Sequence, residues 1–237
     1  MYEFESRVRY SEVDANCNLK LNALVNYLQD CTIFHSEDVN MGVEYLKEKN
    51  QAWVLNYWQV DILKLPRLCD NILVTTIPYE VKGFRGLRNF IITDKNTGER
   101  LVVANTIWTL LDIVNMRPAK ASQDMIDAFA TGEKIDMEYT DRKILVDGEF
   151  TVMQPITVGE YMLDTNHHVN NEKYIEIALA YIPAEASVSR IRVEYKQSAV
   201  LGDVIVPQIF EDGKTITVCL KNKADDTVFV TCQFVVV

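Results

Sequence analysis

Residues 14–19 read Asp14-Ala15-Asn16-Cys17-Asn18-Leu19, and residues 164–169 read Asp164-Thr165-Asn166-His167-His168-Val169. Each hexad stands just ahead of a stretch with helical patterning. After the first, Leu21, Leu24, Val25, Leu28, Cys31, Thr32 and Phe34 recur near a 3.6 period. They predict a helix from Leu21 to about Val39, closed by Met41-Gly42. After the second, a helix is expected from about Asn171 to Ile182, stopped by Pro183. A further echo sets Leu68-Cys69-Asp70-Asn71-Ile72-Leu73-Val74 against Leu201-Gly202-Asp203-Val204-Ile205-Val206. Ordered self-similarity of this kind reads as a duplicated unit.

The flanking sequence repeats the same plan. A strand at about Glu3–Tyr10 precedes the first helix, and runs at Trp53–Leu63, Ile72–Glu80, Leu87–Asp94 and Arg100–Asp112 follow it. Lys95-Asn96-Thr97-Gly98 is a hairpin signal between the last two. The second copy offers Glu149–Val158 before its helix, then Ser189–Tyr195, Val204–Phe210, Thr215–Asn222 and Val228–Val237. Between Arg117 and Gly148 the chain is polar, with a short helix expected near Gln123–Ala130. An apolar helix in each copy must be covered by its sheet. The expected fold class is α+β: two tandem hotdog units, each a long helix wrapped by antiparallel sheet, pairing into one double hotdog. The expected boundaries are 1–117, a linker at 118–147, and 148–237.

Composition narrows the function. Thirty-four acidic against twenty-four basic residues give a net charge of −10, which disfavours generic nucleic-acid binding. No eighteen apolar residues run uninterrupted and no apolar signal core opens the chain, so a cytoplasmic location and no membrane partner are expected. The five cysteines are scattered, with no zinc or redox pairing.

The copies differ at one chemically telling place, where Asn18 in the first corresponds to His168 in the second. Asp164, Asn166 and His168 bring a carboxylate, an amide and an imidazole together ahead of a helix. A carboxylate there can activate water or attack, while the other two hold water or an oxyanion. Asp and Asn before helices are also common caps, and the first copy carries them without the histidine. His167 reads as a neighbour pointing away, and His35 as a packed or hydrogen-bonded helix residue.

The stretch LDTNHHVNNEKYIEIALAYIP (Leu163–Pro183) resembles the active-site segment of plant and bacterial acyl-acyl carrier protein (acyl-ACP) thioesterases. NYLQDCTIFH, WVLNYWQVDILKLPRLCDNILV and TGERLVVANTIWTLLD resemble that family's first hotdog, in the same order. The resemblance implies hydrolysis of fatty acyl-ACP, with Asp164 as nucleophile or general base and Asn166 and His168 positioning water and thioester. It implies no metal and no organic cofactor. It also implies an acyl pocket in the first unit, for which Trp53, Tyr57 and Trp58 are candidates; ordinary strand core explains them at least as readily. The partners would be acyl carrier protein and its fatty acyl chain, with a homodimer left open. Carrier docking would need local basic residues, and Lys82, Arg85 and Arg88, or Lys64 and Arg67, are the candidates; on charge pattern alone, solvated loop charge is the favoured reading of both.

One departure stands out. The family places a catalytic Glu, followed in plant members by Cys, where this chain has Ser198 and Ala199. Ser198 therefore takes the doubtful fourth position, and Glu194, four residues back along an expected strand, lies too far away to replace the Glu. Rival readings are a hotdog acyl-CoA thioesterase, a hydroxyacyl-ACP dehydratase, and a weakly catalytic acyl- or carrier-binding protein.

Overall fold

The 3.6-residue apolar stripe becomes an eighteen-residue helix, α1 (Leu21–Asp38), which fully buries Leu24, Val25, Leu28 and Cys31. Each such aliphatic side chain contributes about 1.5–3 kcal/mol on burial. The helix stops at Asn40 rather than at Gly42. Asn40 adopts a left-handed φ of 57°, its N–H reaches Glu37 O, and the Met41 N–H reaches Ser36 O at 2.8 Å. Gly42 instead leads into a short helix, α2 (Val43–Glu48), that periodicity over six residues does not reveal.

The computed structural model describes residues 1–237, and its two compact units are Met1–Tyr139 and Thr140–Val237. In the first, β1 (Tyr2–Arg7), β2 (Gln51–Ile62), β3 (Asn71–Lys82), β4 (Arg85–Asp94) and β5 (Arg100–Asp112) form an antiparallel sheet ordered β1-β3-β4-β5-β2. α1 packs on one face of it, with Cys31 Sγ 3.5 Å from Val74 O. A bulge between Leu55 and Tyr57 resets the alternation of β2. Trp53, Leu55 and Trp58 therefore face α1, whereas Tyr57 and Gln59 face the other way.

The expected linker at 118–147 is mostly exposed, but parts of it pack on the first unit. β6 (Arg117–Pro118) pairs with β5. α3 (Gln123–Phe129) is capped by Ser122, whose hydroxyl accepts from Met125 N–H at 3.2 Å. Its Met125 and Phe129 pack with Leu110 and Ala121. Beyond α3 the chain is held by polar side chains on the sheet face opposite α1. Asn89 Oδ1 accepts from Ile135 N–H (3.2 Å) and from the Tyr139 hydroxyl (3.0 Å), while Gln59 Nε2 donates to Glu138 O (2.6 Å). Buried amide side chains need partners, and this segment supplies them.

In the second unit the expected strand at Glu149–Val158 is two short pieces, β7 (Thr151–Val152) and β8 (Ile156–Thr157), both paired with β10. Pro155 between them lacks the N–H that a continuous ladder requires. α4 (Asn171–Leu179) follows, then β9 (Val188–Tyr195), β10 (Val204–Asp212), β11 (Thr215–Asn222) and β12 (Val228–Val236), hydrogen-bonded in the order β9-β12-β11-β10. α4 ends earlier than expected. Its last turn tightens to i→i−3 bonds, Tyr181 N to Ala178 O and Ile182 N to Leu179 O at 3.1 Å, because the residue before Pro183 is driven out of the helical region. No helix of the chain is long and apolar enough to cross a membrane.

Candidate active site

Asp164 closes a tight loop on itself. Its N–H donates to His168 O (2.7 Å) and its carbonyl accepts from His167 N–H (3.1 Å). Its carboxylate Oδ1 accepts from the N–H groups of Asn166 (2.8 Å) and His168 (3.2 Å). His167 occupies the left-handed region, φ 61°, so that the chain can double back. The first copy builds the same loop from the same bonds. Asp14 N–H meets Asn18 O at 2.8 Å, Asp14 Oδ1 accepts from Asn16 (2.9 Å) and Asn18 (2.8 Å), and Cys17 has φ 63°.

The loop thus needs the aspartate in both copies, using one carboxylate oxygen and leaving Oδ2 for other work. Neither Asp164 nor Asn166 caps the helix. That task falls to Asn170, whose side chain accepts from Glu172 N–H at 3.2 Å. Asn166, His167 and His168 are exposed and Asp164 is half-buried.

A second segment, residues 196–200, runs beside this loop. Val169 N–H donates to Ala199 O at 2.9 Å, and His168 forms a bridge with Val200. Ser198 is exposed in that segment, and the antiparallel bridge sets Val200, two residues on, opposite His168. The segment is irregular, because β9 ends at Tyr195, so the expected strand spacing between Glu194 and Ser198 does not apply. Glu194 is buried, accepts from Ile144 N–H at 3.3 Å and pairs with Lys196 at 3.6 Å. It is tied to the incoming chain and is not offered to a substrate. Sequence reasoning missed Tyr174 of α4, whose buried hydroxyl accepts from Ala199 N–H at 2.7 Å. The signal was available in the repeat, since Leu24 occupies the matching place in α1.

Two family models cover nearly all of this framework. Residues 1–129 match the acyl-ACP thioesterase N-terminal domain, and residues 147–229 match the acyl-ACP thioesterase C-terminal domain. The chain belongs to the acyl-ACP thioesterase family.

Among relatives of this thioesterase family member, the chloroplastic acyl-carrier-protein hydrolase FATB1 of Cuphea viscosissima is 25% identical over 84% of this chain and 51% of its own length. The chloroplastic palmitoyl-acyl carrier protein thioesterase of Arabidopsis thaliana is 25% identical over 80% of this chain and 50% of its own. The chain spans about half the length of these curated relatives. An acyl-ACP thioesterase from Bacteroides thetaiotaomicron shares the fold with a TM-score of 0.90 at 23% identity, covering 99% of this chain and 97% of that one. The 12:0-ACP thioesterase from Umbellularia californica does so with a TM-score of 0.87 at 19% identity, over 99% and 97%. The fold is the double hotdog of these proteins.

The other residues singled out in the sequence of this thioesterase family member fall in unequal places. Trp53 and Tyr57, expected together in an acyl pocket, lie on opposite faces of β2 because of the bulge. The Trp53 ring packs over Gly86, where an added Cβ would stand 3.1 Å from it. Trp58 packs against Phe90 with the rings tilted at 44° and their centroids 5.2 Å apart. The indole N–H groups of Trp53 and Trp58 are buried without hydrogen-bond partners.

The basic cluster also divides. Lys82 and Arg85 are exposed at the β3–β4 turn, Arg85 paired with Glu80 at 2.6 Å. Arg88 is only 7% exposed and cannot belong to a docking patch. Period-two alternation from Phe90 turns it toward α1, where its Nη1 lies 3.2 Å from His35 Nδ1 and 3.4 Å from Thr76 Oγ1, with the guanidinium over the Phe129 ring. Burial, and then the Arg88 charge, push the His35 pKa down to about 4. Lys64 pairs with Glu99 at 2.8 Å, and Arg67 reaches Asn16 O at 3.3 Å. They stand at the opposite end of β3 from Lys82, whose span is roughly 35 Å at ~3.3 Å per residue.

Proposed function

We propose that the chain hydrolyses fatty acyl-ACP thioesters to free fatty acid and carrier-protein thiol. Asp164 Oδ2 acts as general base on water or as the nucleophile at the thioester carbon. In either route water is the second substrate, its hydroxyl ends on the acyl carbon and its proton on the departing sulfur. His168 and Asn166, exposed on the same loop, hold the water and the developing oxyanion. Ser198 orients water but cannot serve as a base at neutral pH, so deprotonation rests on Asp164 or His168. The names of the relatives support a carrier-bound acyl substrate.

The observation that carries this reading is the loop itself. Two copies share one backbone geometry, and the second replaces Asn18 by His168 in a chain of this family. Hydrolysis should be measured with acyl-ACP and acyl-CoA over several chain lengths. Turnover of acyl-ACP well above acyl-CoA supports the proposal. Preference for acyl-CoA moves the chain to the acyl-CoA thioesterase reading, and binding without turnover makes it a carrier- or acyl-binding protein, the outcome that Ser198 at the family's Glu position favours.

A further inference from the structure

Ala199 is completely buried, so its backbone groups must be paired within the protein. Its carbonyl accepts from Val169 N–H at 2.9 Å, and its N–H donates to the Tyr174 hydroxyl at 2.7 Å. Residue 199 is thus gripped from both sides, by the end of the Asp164 loop and by α4. The first copy does this differently. Leu19 N–H donates to Pro66 O at 2.8 Å, the equivalent of the first bond. Pro66 has no N–H to satisfy, and the helix position that faces it in the repeat is Leu24. Proline with leucine has become alanine with tyrosine. Each pair is chemically consistent, and a crossed pair would leave a buried donor unpaired.

We propose that Tyr174 is a positioning residue, whose hydroxyl fixes the 196–200 segment so that Ser198 is held against the Asp164–His168 loop. Proline would anchor the turn by its own ring. Tyrosine anchors it from the helix instead, through the Ala199 N–H. Tyr174 is itself braced. Its ring meets Tyr195 edge-on at 6.2 Å, and the Tyr195 hydroxyl donates to Asn171 O at 3.1 Å. Burial lifts the Tyr174 pKa to about 12, so the hydroxyl stays protonated and neutral across the working range. The inference rests on the Asp164 loop being the site of thioester hydrolysis.

The test compares Tyr174→Phe, Ala199→Pro, the double variant and Asp164→Asn in acyl-ACP hydrolysis. Tyr174→Phe keeps the ring and deletes the anchor, and should lower kcat about tenfold with KM changed less than about twofold. Ser198→Ala should then cost nothing further in that background. Adding Ala199→Pro to Tyr174→Phe removes the orphaned donor, and should recover most of the lost kcat; the first copy shows that this turn accepts proline. Tyr174→Phe within twofold of wild type in kcat would overturn the proposal. So would a double variant as slow as Tyr174→Phe, which would put the hydroxyl in the chemistry itself. A parallel drop in kcat and rise in KM, tracking a loss of melting temperature, would reduce Tyr174 to a structural role. Full activity in Asp164→Asn would sink the site assignment instead, and that result is read independently of the Tyr174 series.

Discussion

The loops at 14–18 and 164–168 are the same object built twice, down to the left-handed fourth residue and the carboxylate that accepts two backbone N–H groups. What differs is what surrounds them. Around the first stand Asn18, Leu24 and Pro66; around the second stand His168, Tyr174 and Ala199, with Ser198 beside them. The aspartate alone therefore says little about chemistry, because its conserved use within the repeat is structural. The candidate activity lies in the replacements, which bring an exposed imidazole and an exposed hydroxyl to the second copy.

The most damaging test of that contrast changes the shared residue in each copy. Asp164→Asn keeps an oxygen to accept the two backbone N–H groups but removes the charge on Oδ2. Hydrolysis should fall by ~10²-fold or more with melting temperature nearly unchanged. Asp14→Asn should leave kcat within about twofold, since only the loop uses Asp14. Comparable kinetic losses in both variants would erase the asymmetry, and retention of activity in Asp164→Asn would make the second loop structural as well.

A less severe exchange moves the one residue that separates the hexads. His168→Asn gives the second loop the residue of the first, and the loop bonds involve only the His168 backbone. Turnover should drop about 10- to 100-fold while stability holds. Asn18→His, the reverse change, should add no activity, because Leu24 and Pro66 remain around it. Hydrolysis in a His168→Asn, Asn18→His double variant clearly above that of His168→Asn alone would show that the surroundings matter less than the imidazole.

The repeat was legible because it is written in identities: Asp, Asn and a helix stripe at matching offsets. The strands after each helix were legible from their turns and alternation. Three things were not. The bulge at Leu55–Tyr57 reverses faces without leaving a mark in the hydrophobic pattern, so Trp53 and Tyr57 looked like neighbours. The segment after Pro118 looked like linker because it has few apolar residues, and beyond α3 it is held by amides on distant strands, Asn89 and Gln59. Arg88 looked like surface because charge implies water by default, and only the register of β4 turns it toward α1. Tyr174 was legible as the counterpart of Leu24 in the repeat, but its bond to Ala199 N–H appears only in the fold.

The units also differ in acid response. In the first, α1 is long enough to carry His35 over Arg88, and its pKa of about 4 lies below the unfolded value near 6.5. The unfolded chain then takes up the proton first as pH falls. The stabilisation is complete above about pH 6.5, declines toward pH 4, and levels off below it. α4 ends before it could carry a counterpart. His35→Phe should flatten the stability curve between pH 6.5 and 4 relative to wild type, monitored by urea unfolding at fixed pH steps. Parallel curves for the two proteins would mean that His35 is solvated or already charged in the fold.

The smallest expected effect concerns the two basic pairs of the first unit, which the length of β3 keeps apart. Lys82 and Arg85 flank a turn that also exposes Phe84, whereas Lys64 is neutralised by Glu99 and Arg67 is engaged with the first loop. Arg85 has its own partner in Glu80, but such exposed pairs are weak and exchange readily with an incoming carboxylate. Reversing Lys82 and Arg85 to Glu should raise KM for acyl-ACP about threefold at low salt, with little change for acyl-CoA. The difference should shrink as ionic strength rises, because the screening length falls to ~8 Å near physiological salt. Reversing Lys64 and Arg67 provides the internal comparison, and should alter the two substrates alike if the carrier protein docks at the β3–β4 turn. The opposite ranking would move docking to the end of the sheet that carries the first loop. That loop would then have a function of its own, as a carrier contact built on the geometry that the second copy uses for chemistry.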